Sequence, residues 1–123
     1  MAPVTVTTEG FAAFGTSADI LFIEFGDSCE PVTAEFARAS ERYPELRFGT
    51  VDVTAEPGLG RAFGIAAVPA LMIVRDGIVL YAREGATAGP LLEELIAKVR
   101  TVDMETVRRR LASDPALAGK GVA

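Results

Sequence analysis

The chain has 123 residues, half of them apolar, and a formal net charge of −5. This length fits one domain with a single core, and the acidic charge argues against nucleic acid as the main partner. No apolar run approaches the length of a membrane span, so we expect no membrane partner. The N-terminus shows neither the basic nor the apolar region of a secretion signal, which predicts a cytoplasmic protein.

Two residue types that often carry catalysis are almost missing. Histidine is absent, and cysteine occurs once, at Cys29. A single cysteine excludes an intramolecular disulfide. The lack of histidine removes cysteine–histidine dyads and histidine-ligated metal sites. We therefore expect neither a cofactor nor a metal.

The first half of the chain predicts alternating strands and helices. Predicted strands cover residues 4–6, 20–25 and 46–53, and predicted helices are a brief one carrying Phe11 and Phe14 and a longer one from Pro31 to Tyr43. The almost wholly apolar run 20–25 is typical of a strand buried on both faces. Thr7 or Thr8 is expected to cap the first helix. Pro31 is expected to open the second, because proline suits the first helical turn.

The second half predicts a hairpin followed by helices. Predicted elements are a short helix with Leu59, Ala62 and Phe63, strands at 70–74 and 78–81, a helix at 90–102 and a last helix after Asp103. Gly64 is a plausible stop for the short helix. The Asp76-Gly77 pair between the two β-runs indicates a tight hairpin turn. We expect residues 115–123 to form a frayed tail.

The order of these elements defines a fold class. A βαβ start implies parallel strands with crossover helices, and the hairpin adds antiparallel strands. We therefore predict a small α/β domain with a mixed central sheet and helices on both faces. The predicted domain covers residues 1–102, and residues 103–123 form a C-terminal helical extension and tail.

Several stretches resemble the thioredoxin family. Residues 23–32, IEFGDSCEPV, resemble the family's strand end, buried acid and Trp-Cys-Gly-Pro-Cys motif. Residues 63–71, FGIAAVPAL, resemble the stretch that runs into its cis-proline loop, and residues 75–77 fall where its hairpin turn sits. The likeness covers roughly residues 5–101 and implies a thioredoxin-like fold, here with an extra C-terminal helix.

The chain departs from the family motif at the site itself. Val32 stands where the family has its second cysteine, Ser28 replaces the tryptophan, and Glu30 replaces the glycine. The lysine that usually lies near the buried acid falls at Thr50. A mixed disulfide on Cys29 would find no second thiol in the chain to release it, so we expect a poor dithiol reductase.

Two residues are candidates for a catalytic role. A helix N-terminus would favour the Cys29 thiolate, whereas the neighbouring acids Asp27 and Glu30 would disfavour it. The alternative is a buried cysteine that acts as a small apolar side chain. Glu24 resembles the family's buried acid, which takes the proton of the second cysteine; the alternative is a water-accessible glutamate without a role.

Three residues are candidates for binding a substrate: Pro31, Val68 and Pro69. The Val68-Pro69 bond resembles the family's cis-proline, and a strand that begins directly after it agrees with proline at a strand's first position. In the family this bond sets a backbone edge that pairs with an extended substrate segment. Such an edge would also suit binding by strand addition.

Two functions of different classes remain open. One is a single-thiol protein, at most a monothiol thiol–disulfide oxidoreductase, that forms mixed disulfides with protein or glutathione partners in cell redox homeostasis. The other is a redox-inactive thioredoxin-fold binding or chaperone module. A covalent dimer through Cys29 is a third possibility, and the sequence leaves the oligomeric state open.

Overall fold

The computed structural model describes residues 3–27 and 33–113. Predictions that fall on residues 28–32, which include Cys29, Pro31 and Val32, lie outside the described residues, as does the predicted tail. The elements of the described part are, in chain order, β1 (Val4–Thr5), α1 (Phe11–Gly15), β2 (Ile20–Gly26), α2 (Ala34–Arg42), β3 (Arg47–Asp52), α3 (Pro57–Ala62), β4 (Ala70–Arg75), β5 (Ile78–Glu84), α4 (Gly89–Thr101) and α5 (Met104–Ser113). None of the helices in this part is long and apolar enough to cross a membrane.

The strands of the described part form one mixed sheet in the order β1-β3-β2-β4-β5. The strands β1, β3 and β2 run parallel, whereas β4 is antiparallel to β2 and β5 is antiparallel to β4. Parallel neighbours need a crossover connection, and α2 provides one between β2 and β3. The arrangement confirms the predicted mixed α/β sheet with a C-terminal helix beyond it.

The sheet carries a core on each face, and β2 contributes to both. Leu21, Ile23 and Phe25 point to the core that includes α1 and α3, and Phe22 points to the core that includes α2 and α4. This alternation confirms that the apolar run is a strand buried on both faces. The second core is filled by Phe22, Phe36, Ala39, Phe48, Leu71, Ile73, Leu92, Ile96 and Val99.

One close approach in the first core depends on a glycine. A Cβ built on Gly49 of β3 would lie 2.6 Å from Cζ of Phe14 and 2.7 Å from Cγ2 of Val6. Carbon atoms in contact are normally separated by about 3.5–4.0 Å. The missing side chain at Gly49 therefore allows Phe14 of α1 to lie directly on the sheet.

The local turn predictions had mixed outcomes. Gly64 follows α3 with φ of +67°, and Asp76 and Gly77 have φ of 54° and 79°, which confirms the helix stop and a type I′ hairpin turn. The predicted cap of α1 is wrong. The helix begins after Gly10 without a side-chain cap, because the Thr7 hydroxyl instead accepts the N–H of Gly10 at 3.0 Å in the preceding turn.

The last helix, α5, is capped at its start and forms an ion pair with the hairpin turn at its middle. Oδ1 of Asp103 accepts the N–H of Glu105 and of Thr106, which confirms Asp103 as its cap. Hydrogen bonds from Thr106 also lower the pKa of Asp103. Met104 is buried, and Arg108 pairs with Asp76 at 2.9 Å. The ion pair therefore links α5 to the turn of the β4–β5 hairpin.

Candidate functional site

Three elements meet where the cysteine-containing segment leaves the sheet. Phe25, near the end of β2, is the register partner of Ala70, the first residue of β4. On the other side, Gly26 is the register partner of Asp52 at the end of β3. Residues 28–32 connect Asp27 to Thr33, directly before α2. Asp27 and Thr33, the residues that flank this segment, therefore lie at the same end of the sheet as Pro69.

Glu24 is buried at this end of the sheet, with 4% of its surface exposed. Its Oε1 accepts the N–H of Thr33 at 2.6 Å, and its Oε2 accepts the Thr33 hydroxyl at 2.8 Å. Buried carboxylates need such partners, because desolvation is otherwise costly. Of the two interpretations of Glu24, the structure therefore supports the buried acid. Thr50 is the register partner of Glu24 on β3, at the position expected for the family's lysine.

Thr33 is the N-cap of α2, and sequence reasoning missed it. Its backbone is extended, with φ of −80° and ψ of 154°, and its hydroxyl accepts the N–H of Phe36 at 3.4 Å. The hydroxyl therefore bridges the buried carboxylate of Glu24 and the first turn of the helix. Threonine is a favoured N-cap residue, so its place before the run beginning at Ala34 was a usable signal.

The predicted start of this helix at Pro31 is wrong, because the helix begins at Ala34. Thr33 donates its N–H to Glu24, and its hydroxyl accepts the N–H of Phe36. These bonds hold residue 33 in an extended conformation and fix the beginning of the helix. Cys29 lies outside the described residues, so its predicted place at the N-terminus of this helix stays a prediction.

The Val68-Pro69 bond is cis, as predicted. Both residues are half-buried, and Pro69 is anchored to β5 because its carbonyl accepts the N–H of Gly85 at 2.7 Å. Within residues 3–27 and 33–113, the backbone N–H and C=O of Val68 make no hydrogen bond. An extended segment of a partner could therefore pair with them.

A second residue that sequence reasoning missed lies close to the backbone edge formed by Val68 and Pro69. Oε2 of Glu84, the last residue of β5, accepts the backbone N–H of both Ala66 and Ala67, the latter at 2.9 Å. The contact joins residues that are 18 and 17 positions apart. No local pattern in the sequence indicates it, because it depends on how β4 and β5 pair.

Other acidic side chains at this end of the sheet accept backbone N–H groups. Oδ1 of Asp52 accepts the N–H of Thr54 at 2.9 Å. Glu56 accepts the N–H of Thr8 at 2.6 Å, and this bond lowers the pKa of Glu56. The described part of the chain contains no cluster of three or more histidine, cysteine or acidic side chains that could hold a metal ion.

The mixed sheet, the crossover helix α2 between β2 and β3 and the cis-proline before β4 define a thioredoxin-like fold. The family model described as Thioredoxin matches residues 7–101. The chain belongs to the thioredoxin family.

A relative and two solved structures show how far the similarity extends. The chain is 36% identical to "Putative thioredoxin 2" of Streptomyces coelicolor over 120 residues, which cover 94% of this chain and 90% of that protein. Since 94% of 123 residues leaves about seven unmatched, this similarity extends into α5, beyond the family model.

Both solved structures are similar in fold. Chloroplastic thioredoxin z has a TM-score of 0.72 at 18% identity, covering 83% of this chain and 97% of that one. Oxidised mitochondrial thioredoxin 3 of Saccharomyces cerevisiae has a TM-score of 0.68 at 24% identity, covering 78% and 94%. At these identities the likeness supports the fold alone.

Proposed function

We propose that this protein uses Cys29 as a single site thiol that forms mixed disulfides with protein or glutathione partners in cell redox homeostasis. It would act as a monothiol thiol–disulfide oxidoreductase and be poor as a dithiol disulfide reductase. The single observation that carries the proposal is positional. The chain's one cysteine lies in the segment between β2 and α2, and the residues that flank this segment lie at the same end of the sheet as Val68, whose backbone makes no hydrogen bond within residues 3–27 and 33–113.

The proposed step is a thiol–disulfide exchange. The Cys29 thiolate attacks one sulfur of a partner disulfide, so that a new bond forms between the two sulfurs. The original sulfur–sulfur bond breaks, and the second partner sulfur leaves as a thiolate with the bonding electrons. An external thiol such as glutathione then attacks the mixed disulfide and releases Cys29. Val32 offers no thiol for this second step.

The binding part of the proposal assigns roles to the candidate residues. Val68 and Pro69 would present a backbone edge to an extended partner segment, with Pro31 on the side of the cysteine. Glu24 would hold the start of α2 through Thr33, since no second cysteine is present to give it a proton. We also propose a cytoplasmic location, because a reducing compartment supplies the thiol that resolution requires.

The direct test is mass spectrometry of the folded, reduced protein after incubation with oxidised glutathione. We expect one glutathione adduct per chain, located on Cys29 and reversed by excess reduced glutathione. A Cys29→Ser variant is the matched control and should gain no mass. Insulin-disulfide reduction should be near background for the wild-type protein, because exchange cannot be completed within the chain.

Two outcomes would contradict the proposal. One is a thiol that stays unmodified in the folded protein but reacts after unfolding in urea. The other is fast turnover in the insulin assay, which would mean that a second thiol is not needed.

A second candidate function is a redox-inactive thioredoxin-fold binding or chaperone module. The observation that favours it is that Glu24 is accounted for by its bonds to Thr33, so the described part of the site requires no thiol chemistry. This module would bind an extended segment at Val68 without covalent capture. An inert thiol together with peptide binding at that edge would support it over the first proposal.

A further inference from the structure

The loop between α3 and β4, residues 63–69, is anchored at its first end by packing and a backbone bond. The ring of Phe63 contacts the ring of Phe11, with centroids 5.3 Å apart, and that of Phe25, at 6.0 Å. The N–H of Ile65 donates to the carbonyl of Gly60 at 2.8 Å. These contacts hold the loop against α3 and the core.

The middle of the loop lacks such packing. Ala66 and Ala67 are exposed, and neither is among the buried or partly buried side chains that form the two cores. Between the anchor at Ile65 and the anchor at Pro69, the hydrogen bonds that the described residues make to this backbone come from one side chain, Glu84. Its carboxylate is charged and accepts two successive N–H groups, and such charge-assisted bonds are stronger than neutral ones.

The place of Glu84 in the sheet explains why it can do this. It is the last residue of β5 and the register partner of Ala70, so its side chain begins next to the end of the loop. The backbone bond from Gly85 to Pro69 fixes the distance between the two segments. The carboxylate therefore reaches back across the start of β4 to the residues just before Val68.

We propose that Glu84 is a positioning residue for partner binding: it holds Ala66 and Ala67 so that the N–H and C=O of Val68 are presented to an extended, cysteine-bearing segment of the partner. The inference rests on the proposed function, because it concerns the edge that the partner would use. It goes further than that function, because it names a side chain outside the cysteine motif, Glu84, that makes the protein prefer extended polypeptides to small disulfides.

The experiment compares two activated disulfides that both release thionitrobenzoate when Cys29 attacks. One probe is a short extended peptide with a central cysteine, and the other is β-mercaptoethanol, which has no backbone to pair with Val68. In each case Cys29 bonds to the probe sulfur and thionitrobenzoate leaves with the electrons. Glu84→Ala should lower the rate with the peptide by about fivefold and leave the rate with the small probe unchanged.

Two further variants separate positioning from a general loss of charge. Glu84→Gln keeps an acceptor oxygen, so it should restore most of the peptide rate. Glu94→Ala removes the same charge from α4, where Glu94 pairs with Lys98, and should change neither rate. Equal losses for both probes, or a peptide rate unchanged by Glu84→Ala, would overturn the inference.

Two measurements do not depend on Cys29. Amide hydrogen exchange at Ala66 and Ala67 should be faster in Glu84→Ala by about fivefold or more. A peptide with a blocked cysteine should shift the Val68 amide resonance in the wild-type protein and shift it less in the variant. If neither probe reacts in any variant, the proposed redox function fails, and these measurements still decide the role of Glu84: unchanged exchange and unchanged shifts would refute it.

Discussion

Replacing Thr33 by alanine is the sharpest test of how the site is built. The substitution removes one hydroxyl that makes two contacts: it donates to the buried carboxylate of Glu24 at 2.8 Å and accepts the N–H of Phe36 at 3.4 Å. The backbone N–H of residue 33 can still donate to Glu24. The change therefore isolates the side-chain contribution to the start of α2.

The expected cost follows from these two contacts. Removing an N-cap side chain costs about 0.5–2 kcal/mol, and the long bond to Phe36 places this case near the lower limit. Removing one partner of a buried hydrogen-bonded polar group costs about 1–3 kcal/mol. We expect Thr33→Ala to lower the free energy of unfolding by about 2–3 kcal/mol, which leaves a domain of ordinary stability folded.

Urea unfolding followed by circular dichroism measures this difference. Thr33→Ser is the matched control, since it keeps the hydroxyl and should stay within about 0.5 kcal/mol of the wild type. A double-mutant cycle with Glu24→Gln should give a coupling energy of about 1 kcal/mol or more between Glu24 and Thr33. A cost below about 0.5 kcal/mol for Thr33→Ala, or no coupling, would refute the assignment of Thr33 as the link between β2 and α2.

Three further predictions concern the core, the last helix and the cysteine motif. Gly49→Ala should destabilise the protein by about 1–3 kcal/mol in urea unfolding, since the new methyl would collide with the ring of Phe14; an unchanged stability would contradict that packing. The pKa of Asp103 is lowered from its ordinary 3.8 by Thr106, so the ionised carboxylate stabilises folded α5 above that pH. This contribution is lost as the pH falls through the lowered value, and amide exchange in α5 of wild type and Asp103→Ala should then converge. The introduced cysteine of Val32→Cys should form a disulfide with Cys29, and both thiols should then be lost to titration after oxidation. If no disulfide forms, the backbone at these two positions does not allow disulfide geometry.

Much of the fold could be predicted because its signals are local. The residues of β2 alone, an almost continuous apolar run, indicate a strand that is buried on both faces. Asp76 and Gly77 adopt the positive φ values that a two-residue hairpin turn requires, and both residue types tolerate them. Asp103 is also a local signal, because it caps the helix that immediately follows it.

The beginning of α2 was predicted three residues too early because two local preferences competed. Proline is favoured in a first helical turn, and Pro31 was given that position. Thr33 is also a favoured cap, and its contact with the buried Glu24 decides between the two. That contact joins β2 to α2 across the sheet surface, so periodicity within 31–43 alone could not reveal it.

The role of Glu84 could not be predicted for a different reason. A glutamate near the end of a predicted strand usually indicates only an exposed position. Its partners, Ala66 and Ala67, are backbone groups, which carry no side-chain signal. The pairing becomes visible only when the register of β4 and β5 places residue 84 opposite Ala70.

Glu24 shows why an acid at the family's buried position does not by itself indicate redox chemistry. A carboxylate that is 4% exposed needs hydrogen-bond donors, and Thr33 supplies two of them at the start of α2. This structural role is sufficient to explain Glu24 in a chain that has Val32 in place of a second cysteine. The redox proposal therefore depends on Cys29 together with the Val68 edge, whereas the binding-module proposal needs the edge alone. Because both proposals use the same backbone edge, peptide binding cannot separate them, and the reactivity of the thiol is the property on which they differ.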